Sequence, residues 1–173
     1  LVVVWTVTLA RSDPAELASI AWAVYLPLAG LVTAVVAAVQ LGRTVAALVD
    51  QVPGLAEPAV LLVVWSLAWA VHWRLARRTL DEARRLPLVV LGSIGGFGAG
   101  VAGLVAVLAA AIRVALAPAP LVGSGAGDLG GPLAVLAAGA FLWVPHWVLR
   151  LARTSASPVW QGYVLVVGVG VSL

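Results

Sequence analysis

The sequence predicts an all-α, polytopic integral membrane protein of parallel tandem two-helix repeats. We expect about six transmembrane segments, of which the first and the last are incomplete. Hydrophobic residues make up 63% of the 173 positions and charged residues 10%, against about 25% charged residues in an ordinary soluble domain. The apolar runs are long and nearly free of charge, as a bilayer span requires. A Trp-x-x-His-Trp motif also closes two of these runs, each time before a basic stretch.

The repeated motif divides the chain into units. Its two full copies begin at Trp69 and Trp143 and hold both histidines of the chain, and a fainter copy around Trp5 has none. Because each period contains two crossings, successive copies have the same orientation, which makes the repeat a parallel one. The predicted units are the end of a degenerate repeat at 1–11, two-helix membrane repeats at 12–78 and 79–153, and the start of a further repeat at 154–173.

Proline, glycine and charged residues separate the predicted helices. Asp13 is the expected N-cap of helix two and Pro14 its first residue. The first outer loop covers 42–57 and includes a weakly amphipathic segment that we expect along the membrane surface. Pro145 should kink helix five, because proline lacks a backbone donor. After the incomplete first helix, the predicted segments are 15–41, 58–78, 86–116, 133–153 and a sixth that begins at Pro158.

The arginines predict the orientation. Eight of the ten lie on the motif side, and only Arg43 and Arg113 lie on the other. Positive residues are retained in the cytoplasm, so the motif ends should face it. The net charge is only +3 and the arginines stand beside apolar runs, so we expect no nucleic-acid partner. The Ala, Val, Leu, Gly and Arg content suggests a bacterial inner (plasma) membrane.

The chain starts at Leu1 within an apolar run and contains no methionine. A whole gene product normally keeps its initiator residue, so we expect the chain to be an excerpt of a longer protein. Cysteine is absent, which excludes disulfides and thiolate metal sites.

Two groups of side chains are predicted to place the helices. Aromatic residues near helix ends prefer the headgroup region, where they act as membrane anchors. The predicted anchors are Trp22, Tyr25, Trp69, Trp73, Trp143, Trp147, Trp160 and Tyr163. Glycines at four-residue spacing in helix four should let a neighbouring helix approach closely. These packing residues are Gly92, Gly96 and Gly100.

The two histidines, His72 and His146, admit three interpretations. They belong to an interfacial belt with the tryptophans, or each donates a hydrogen bond to another helix and fixes how repeats pack. Alternatively, they are cofactor-binding residues or proton carriers for a haem, a chlorin or a quinone. Two matched histidines on symmetric helices are able to face one macrocycle.

Other chemistry has little support in the sequence. Acidic residues lie in the predicted loops and not in the middle of a span, which argues against an ion-coupled transporter. No nucleophile–base pair and no metal-ligand cluster is visible, so we expect no catalytic residues, no metal site and no enzyme activity.

The paired helices resemble an uncharacterised family of bacterial membrane proteins, a domain of unknown function. The resemblance is carried by the His-Trp pair and Leu-Ala-Arg cap at 72–77, and by the same elements at 146–153. The chain departs from the pattern at Val4, which occupies the histidine position of the first copy, and at the insertion of Val148 and Leu149. The resemblance implies a repeated helical fold and no activity.

The function expected from these observations is a non-catalytic membrane scaffold or an accessory subunit of a larger membrane assembly. Its partners would be the lipid bilayer and other membrane protein subunits. One alternative is a membrane protein that binds a lipophilic cofactor through His72 and His146, although the sequence does not identify the cofactor. A second alternative is a carrier of an apolar or lipid-like solute.

Overall fold

Four helices account for most of the described residues. The computed structural model describes residues 19–116 and 129–148, with the single residues 4, 8, 158, 161, 162, 165 and 169. No strand occurs among them, so the predicted all-helical class is confirmed for this part of the chain. The helices are α1 (Ile20–Val49), α2 (Ala56–Thr79), α3 (Glu82–Leu116) and α4 (Gly130–Trp143), and α4 continues into a π-helical turn (Val144–Val148).

Three of these helices are long and apolar enough to cross a membrane, by length and composition. They are α1, α2 and residues 84–116 of α3, with mean hydropathies of 2.0, 1.6 and 2.2. Large apolar side chains on their outer faces stay uncovered, and Val32, Val64 and Leu108 are each more than half exposed. Such faces are suited to contact with lipid acyl chains, which neither donate nor accept hydrogen bonds.

Helix α1 is longer than predicted. It begins after Ser19, whose Oγ accepts a hydrogen bond from the backbone N–H of Trp22 at 3.1 Å, and the predicted cap at Asp13 lies outside the described residues. The predicted end at residue 41 is wrong, because Gly42 does not stop the helix. Gly42 is instead buried against the backbone of Ala134 in α4, and α1 continues to Val49.

The first outer loop is correspondingly short. Only residues 50–55 separate α1 from α2, so the segment predicted to lie along the membrane surface is mainly the last part of α1. The turn uses left-handed backbone at Gln51, with φ of 52°, and at Gly54, with φ of 104°. Helix α2 then begins at Ala56, which makes Pro58 its third residue and not its first.

Residues 79–85, which lie between the predicted segments 58–78 and 86–116, are also mostly helical. Helix α3 begins at Glu82 and not at residue 86. Asp81 explains the early start, because its Oδ1 accepts a hydrogen bond from the N–H of Arg84 at 2.8 Å and so caps the helix. The Arg84 guanidinium also lies 3.5 Å from the Asp81 carboxylate.

Helix α4 begins at Gly130, three residues earlier than predicted, and changes to a π-helical turn at Val144. Pro145 lies in this turn, so the perturbation predicted at the proline is a widened helical turn. A π turn is one of the known responses to an interrupted backbone ladder.

The helices form antiparallel neighbours around α1. Helix α1 packs against α2 on one side and α4 on another, and α3 packs along α4. One core cluster joins Trp22, Leu26, Ala76 and Leu80 of the first hairpin, and a second joins Ala34 and Ala38 to Leu142. The starts of α1 and α3 and the end of α2 therefore lie at the same end of the bundle as the π turn, which we call the motif end.

Candidate functional site

His146 is enclosed at the motif end by three helices. Its side chain is 0% exposed, and its Nδ1 lies 2.7 Å from the carbonyl oxygen of Leu142. A carbonyl only accepts hydrogen bonds, so Nδ1 carries the proton and donates it within the same helix. The ring lies flat against Gly92 of α3, where an added Cβ would fall 2.7–2.9 Å from three ring atoms. A larger residue at this position of α3 would force the His146 ring or the helix to shift.

The third helix that contacts His146 is α2. The His146 ring lies 6.0 Å from the Trp69 ring and 5.7 Å from the Trp73 ring, the latter edge-on. Trp69 also packs against Phe141 of α4 with the ring centroids 5.6 Å apart. The motif copy in α2 thus holds the histidine of the copy in α4, and these contacts join the first hairpin to the second.

His72 has a similar setting within the first hairpin. It is 1% exposed, and its Nδ1 donates to the carbonyl oxygen of Ala68 at 2.8 Å. Tyr25 of α1 meets the imidazole edge-on at 6.3 Å. A Cβ on Gly30 would lie 3.9 Å from the Cβ of His72 and 3.5 Å from the side chain of Leu88. The Nε2 of His72 is buried and has no hydrogen-bond partner among the residues that the structure describes.

The two histidines share one local arrangement. Each donates from Nδ1 to the carbonyl four residues earlier, and each faces a glycine on the preceding helix, Gly30 or Gly92. Leu26 and Leu88, four residues before these glycines, are both fully buried. Neither leucine was predicted from the sequence as a core residue, and Gly30 was not predicted as a packing residue. A signal was present, since Leu-Pro-Leu stands shortly before the glycine in each helix.

Trp22 is part of the protein core and does not face lipid. The sequence predicted a membrane anchor, but the side chain is 3% exposed and packs with Leu26, Ala76 and Leu80. Trp22 is the third residue of α1, where the end of α2 closes over the start of α1 and covers it. Tyr25, which is half-buried, stacks against it at 5.7 Å.

The other predicted anchors are half-buried and contact other side chains. Trp73 and Trp147 both pack on Val89 of α3. Trp143 lies 6.1 Å from Phe97, between ring centroids, on the same helix pair. Trp160 and Tyr163 lie outside the described residues. The predicted anchors with a described position therefore take part in packing between side chains.

The glycine ridge of α3 lies against α4. A Cβ on Gly96 would meet the backbone of Leu142 and Trp143, and one on Gly139 of α4 would meet the backbone of Gly100. Gly103 lies in the same way against Leu136. The sequence analysis did not single out Gly103 or Gly139, although Gly103 continues the ridge by one turn.

A second small-residue surface on α3 also escaped the sequence analysis. Gly95 and Gly98 are exposed, and a Cβ on either would meet nothing within 4 Å. Exposed apolar side chains lie around them on the same face, including Leu91, Ile94 and Val101. We call this the outer α3 face.

Uncharged polar side chains are also buried inside the long helices. Thr33 is 6% exposed and donates from Oγ1 to the carbonyls of Ala29 and Gly30 at 2.8 and 3.0 Å. Gln40 is 7% exposed, and its Oε1 has no partner in the described part of the chain. These groups add polarity to α1 without adding charge.

At the end of the bundle away from the motif end, a carboxylate contacts the start of α4. The carboxylate of Asp50, just after α1, lies directly against Gly130 at the start of α4. A negative charge there is favourable, because the first backbone N–H groups of a helix carry partial positive charge. Arg43, Glu57 and Asp50 line a shallow groove at this end.

The chemistry open to the two histidines is limited by their packing. Within the described residues no group of three or more His, Asp or Glu side chains lies close enough to hold a metal ion. Nδ1 of each ring is already used by its own helix, which leaves Nε2 as the nitrogen with a lone pair. That nitrogen is able to ligate iron or accept a hydrogen bond from a hydroxyl. A flat macrocycle next to His146 would have to displace Gly92, Trp69 or Trp73.

Comparisons of the chain with protein-family models, with curated proteins and with solved structures find no match.

Proposed function

We propose that the chain is a non-catalytic integral membrane scaffold or an accessory subunit of a larger membrane assembly. The observation that carries the proposal is the enclosure of both histidines, which are 0–1% exposed. The His146 ring packs against Gly92, and Gly30 lies beside the Cβ of His72. Side chains that would otherwise suggest chemistry are used to join helices. The outer faces of the same helices remain apolar and present broad surfaces to lipid or to other subunits.

The proposed location is the bacterial inner membrane, with the motif ends in the cytoplasm. The exposed arginines at the end of α2 support this orientation, because positive residues are retained on the cytoplasmic side. The full proposal has six spans in parallel two-helix repeats. The matching environments of His72 and His146 support the repeat, and the first and sixth spans would lie in residues outside the described part.

The outer α3 face is the proposed contact for a neighbouring subunit. Gly95 and Gly98 leave the backbone of α3 accessible, and small residues at a helix surface permit the close approach on which association in lipid depends. The arrangement of Gly96 against α4 is an example of such a contact within the chain.

Native mass spectrometry of the full-length protein, extracted gently from its own membrane, tests the scaffold proposal. We expect species that contain other polypeptides in fixed ratio. The variants Gly95→Leu and Gly98→Leu should lose these species, because the added side chains fill the outer α3 face. Leucine is a better helix former than glycine, so helix weakening cannot explain the loss.

Ala140→Leu is the matched control, since it adds bulk to an exposed position of α4. This variant should keep the assembly. Only monomeric protein in the wild-type extract would contradict the scaffold proposal. An unchanged assembly in the two glycine variants would instead reject the outer α3 face as the contact.

A second candidate function is the binding of a lipophilic cofactor or quinone at His72. The observation that favours it is the buried Nε2, which has no hydrogen-bond partner among the described residues. A pigment or quinone bound to the wild type should disappear in His72→Ala and persist in the matched variant His146→Ala. A signal that survives in both variants, or in the double variant, would reject this function.

The close contact between α3 and α4 counts against the third hypothesis, a carrier of an apolar solute. A path between these two helices would have to separate Gly96 from Trp143 and Gly100 from Gly139, whose backbones touch.

A further inference from the structure

One face of α2 is turned away from the rest of the bundle along its whole length. Its large exposed side chains are Val60, Val63, Val64 and Leu67, which are 52–63% exposed, and Ala70 continues the same face. The buried residues Ala68, His72 and Ala76 lie on the opposite side. The spacing follows the helical repeat, so the exposed residues form one continuous stripe.

Three arginines continue this stripe at the motif end. Arg74, Arg77 and Arg78 are all exposed, and they follow Ala70 at the spacing that keeps residues on one helix face. None of the three forms an ion pair with another described residue. Arg84 differs, because Asp81 lies 3.5 Å from it. The stripe therefore ends in three positive charges without a carboxylate partner in the described part of the chain.

We propose that this face of α2 is a binding site for one anionic phospholipid. An acyl chain lies along Val64, Leu67 and Ala70, and the headgroup phosphate binds between Arg74, Arg77 and Arg78. Arginines three and four residues apart have their Cβ atoms about 5–6 Å apart, so two guanidinium groups reach the same phosphate. Each offers a planar pair of donors that matches phosphate oxygens.

The length of the apolar stripe agrees with the thickness of one membrane leaflet. One leaflet contributes about 15 Å of hydrocarbon to a membrane, which corresponds to about ten residues of α-helix. Ten residues before Arg74 is Val64. The apolar stripe therefore extends as far from the arginines as one leaflet requires. The inference rests on the proposed membrane location but not on the scaffold role.

Among the described residues, the opposite end of the bundle shows no such arrangement. Arg43 is exposed, but the groove beside it is also lined by Asp50 and Glu57. Two carboxylates near one guanidinium oppose the approach of a phosphate. Arg43 and Arg113 are therefore suitable control positions, because their replacement removes the same charge from other helices.

The test is a titration of the full chain in neutral detergent with phosphatidylglycerol and, separately, phosphatidylcholine, with lipid adducts counted by native mass spectrometry. We expect phosphatidylglycerol adducts to persist where phosphatidylcholine adducts dissociate. Arg74→Gln combined with Arg77→Gln should weaken phosphatidylglycerol binding about 30-fold at low salt, from the usual contribution of a basic residue near an anionic lipid. Arg43→Gln combined with Arg113→Gln should leave it within about twofold.

The charge-keeping pair, Arg74→Lys with Arg77→Lys, should bind phosphatidylglycerol more tightly than the glutamine pair but less tightly than the wild type, because lysine keeps the charge and loses the planar donors. It separates loss of charge from loss of folding. Equal retention of the two lipids by the wild type would overturn the proposal without any variant. So would an unchanged affinity in the glutamine pair, or an equal loss in the Arg43 and Arg113 pair. Complete displacement of the lipid by inorganic phosphate would show an anion site without a role for the apolar stripe, and would also overturn it.

Discussion

The contact between α3 and α4 is so close that a single methyl group should disrupt it. A Cβ on Gly96 would lie 2.8 Å from the Cα of Trp143 and nearer still to its backbone nitrogen. Ordinary contacts of a Cβ begin at 3.4 Å, so the helices would have to separate by about 0.6 Å or more. A gap of about 0.5–1 Å already removes a quarter to a half of the dispersion energy of each contact.

The expected cost of Gly96→Ala follows from this geometry. Overpacking of an interior costs about 1–3 kcal/mol. Because the obstacle is backbone and no side-chain rotation relieves it, we expect the upper part of that range. Alanine also favours the helix over glycine by about 0.8–1.0 kcal/mol. The net expectation is a free energy of unfolding lowered by about 1–2 kcal/mol.

Gly98→Ala is the matched control, since it lies on the same helix with nothing within 4 Å of the new Cβ. It should raise the free energy of unfolding by about 1 kcal/mol through helix preference alone. The free energy of unfolding of Gly96→Ala should therefore be about 2–3 kcal/mol lower than that of Gly98→Ala. Gly139→Ala, which meets the backbone of Gly100, should behave like Gly96→Ala.

Equilibrium unfolding of the full chain in detergent, followed by circular dichroism and tryptophan fluorescence, measures this difference. Equal midpoints for Gly96→Ala and Gly98→Ala would refute the reasoning, because the helix-preference term is common to both. A loss of stability in Gly98→Ala alone would show that α3 packs through the face that carries Gly98 and not through the face that carries Gly96.

Three further predictions concern single contacts. Gly92→Ala should change the free energy of unfolding of the wild type by a loss of about 0–2 kcal/mol, because an overpacking cost of about 1–3 kcal/mol is offset by a helix preference of about 1 kcal/mol. In a His146→Ala background it should instead stabilise by about 1 kcal/mol, because the ring that meets the new Cβ is gone. Unfolding of the four proteins in that cycle gives the coupling, and equal costs in both backgrounds would contradict the contact. Asp81→Ala should lower stability by about 1 kcal/mol through loss of the α3 cap, whereas Asp81→Asn should retain most of it. An equal loss in both would exclude capping. Asp50→Asn should cost about 0.3–1 kcal/mol at low salt and less at high salt, as screening weakens the interaction with the start of α4. A loss that does not change with salt would contradict the electrostatic explanation.

The existence of the helices was predictable from the sequence, but their ends were less so. Long apolar runs require helices whatever their neighbours are, and α1, α2, α3 and α4 all lie where such runs occur. The end of α1 was predicted from Gly42. A glycine either ends a helix or lets a neighbouring helix pack closely against it. Its actual role is set by Ala134, which is 92 residues away in the chain and belongs to another helix. Local sequence contains no information on that contact.

The residues of the candidate site were likewise predictable only where local sequence was enough. The four-residue spacing of glycines in α3 identified a packing face, and Gly92 and Gly96 lie on it. It did not identify the partner, because several rotations of neighbouring helices fit one ridge equally well. For Trp22, the local sequence suggested the wrong surroundings. Its place near a helix start suggested contact with headgroups, and only the closing of α2 over α1 explains its burial.

The histidine position of the motif is buried in the two copies that contain a histidine. Val4 occupies the position in the first copy and is 70% exposed, whereas His72 and His146 are 1% and 0% exposed. A buried polar ring must satisfy its N–H, and donation from Nδ1 to the carbonyl four residues earlier does so without help from another helix. The His146 ring is then free to fill the space in front of Gly92, where a larger residue on the facing helix would collide with it. A Cβ on Gly30 would instead make only ordinary contacts with Leu88 and with the Cβ of His72. His146 and Gly92 thus depend on each other, and this dependence explains the buried His146 without requiring a cofactor.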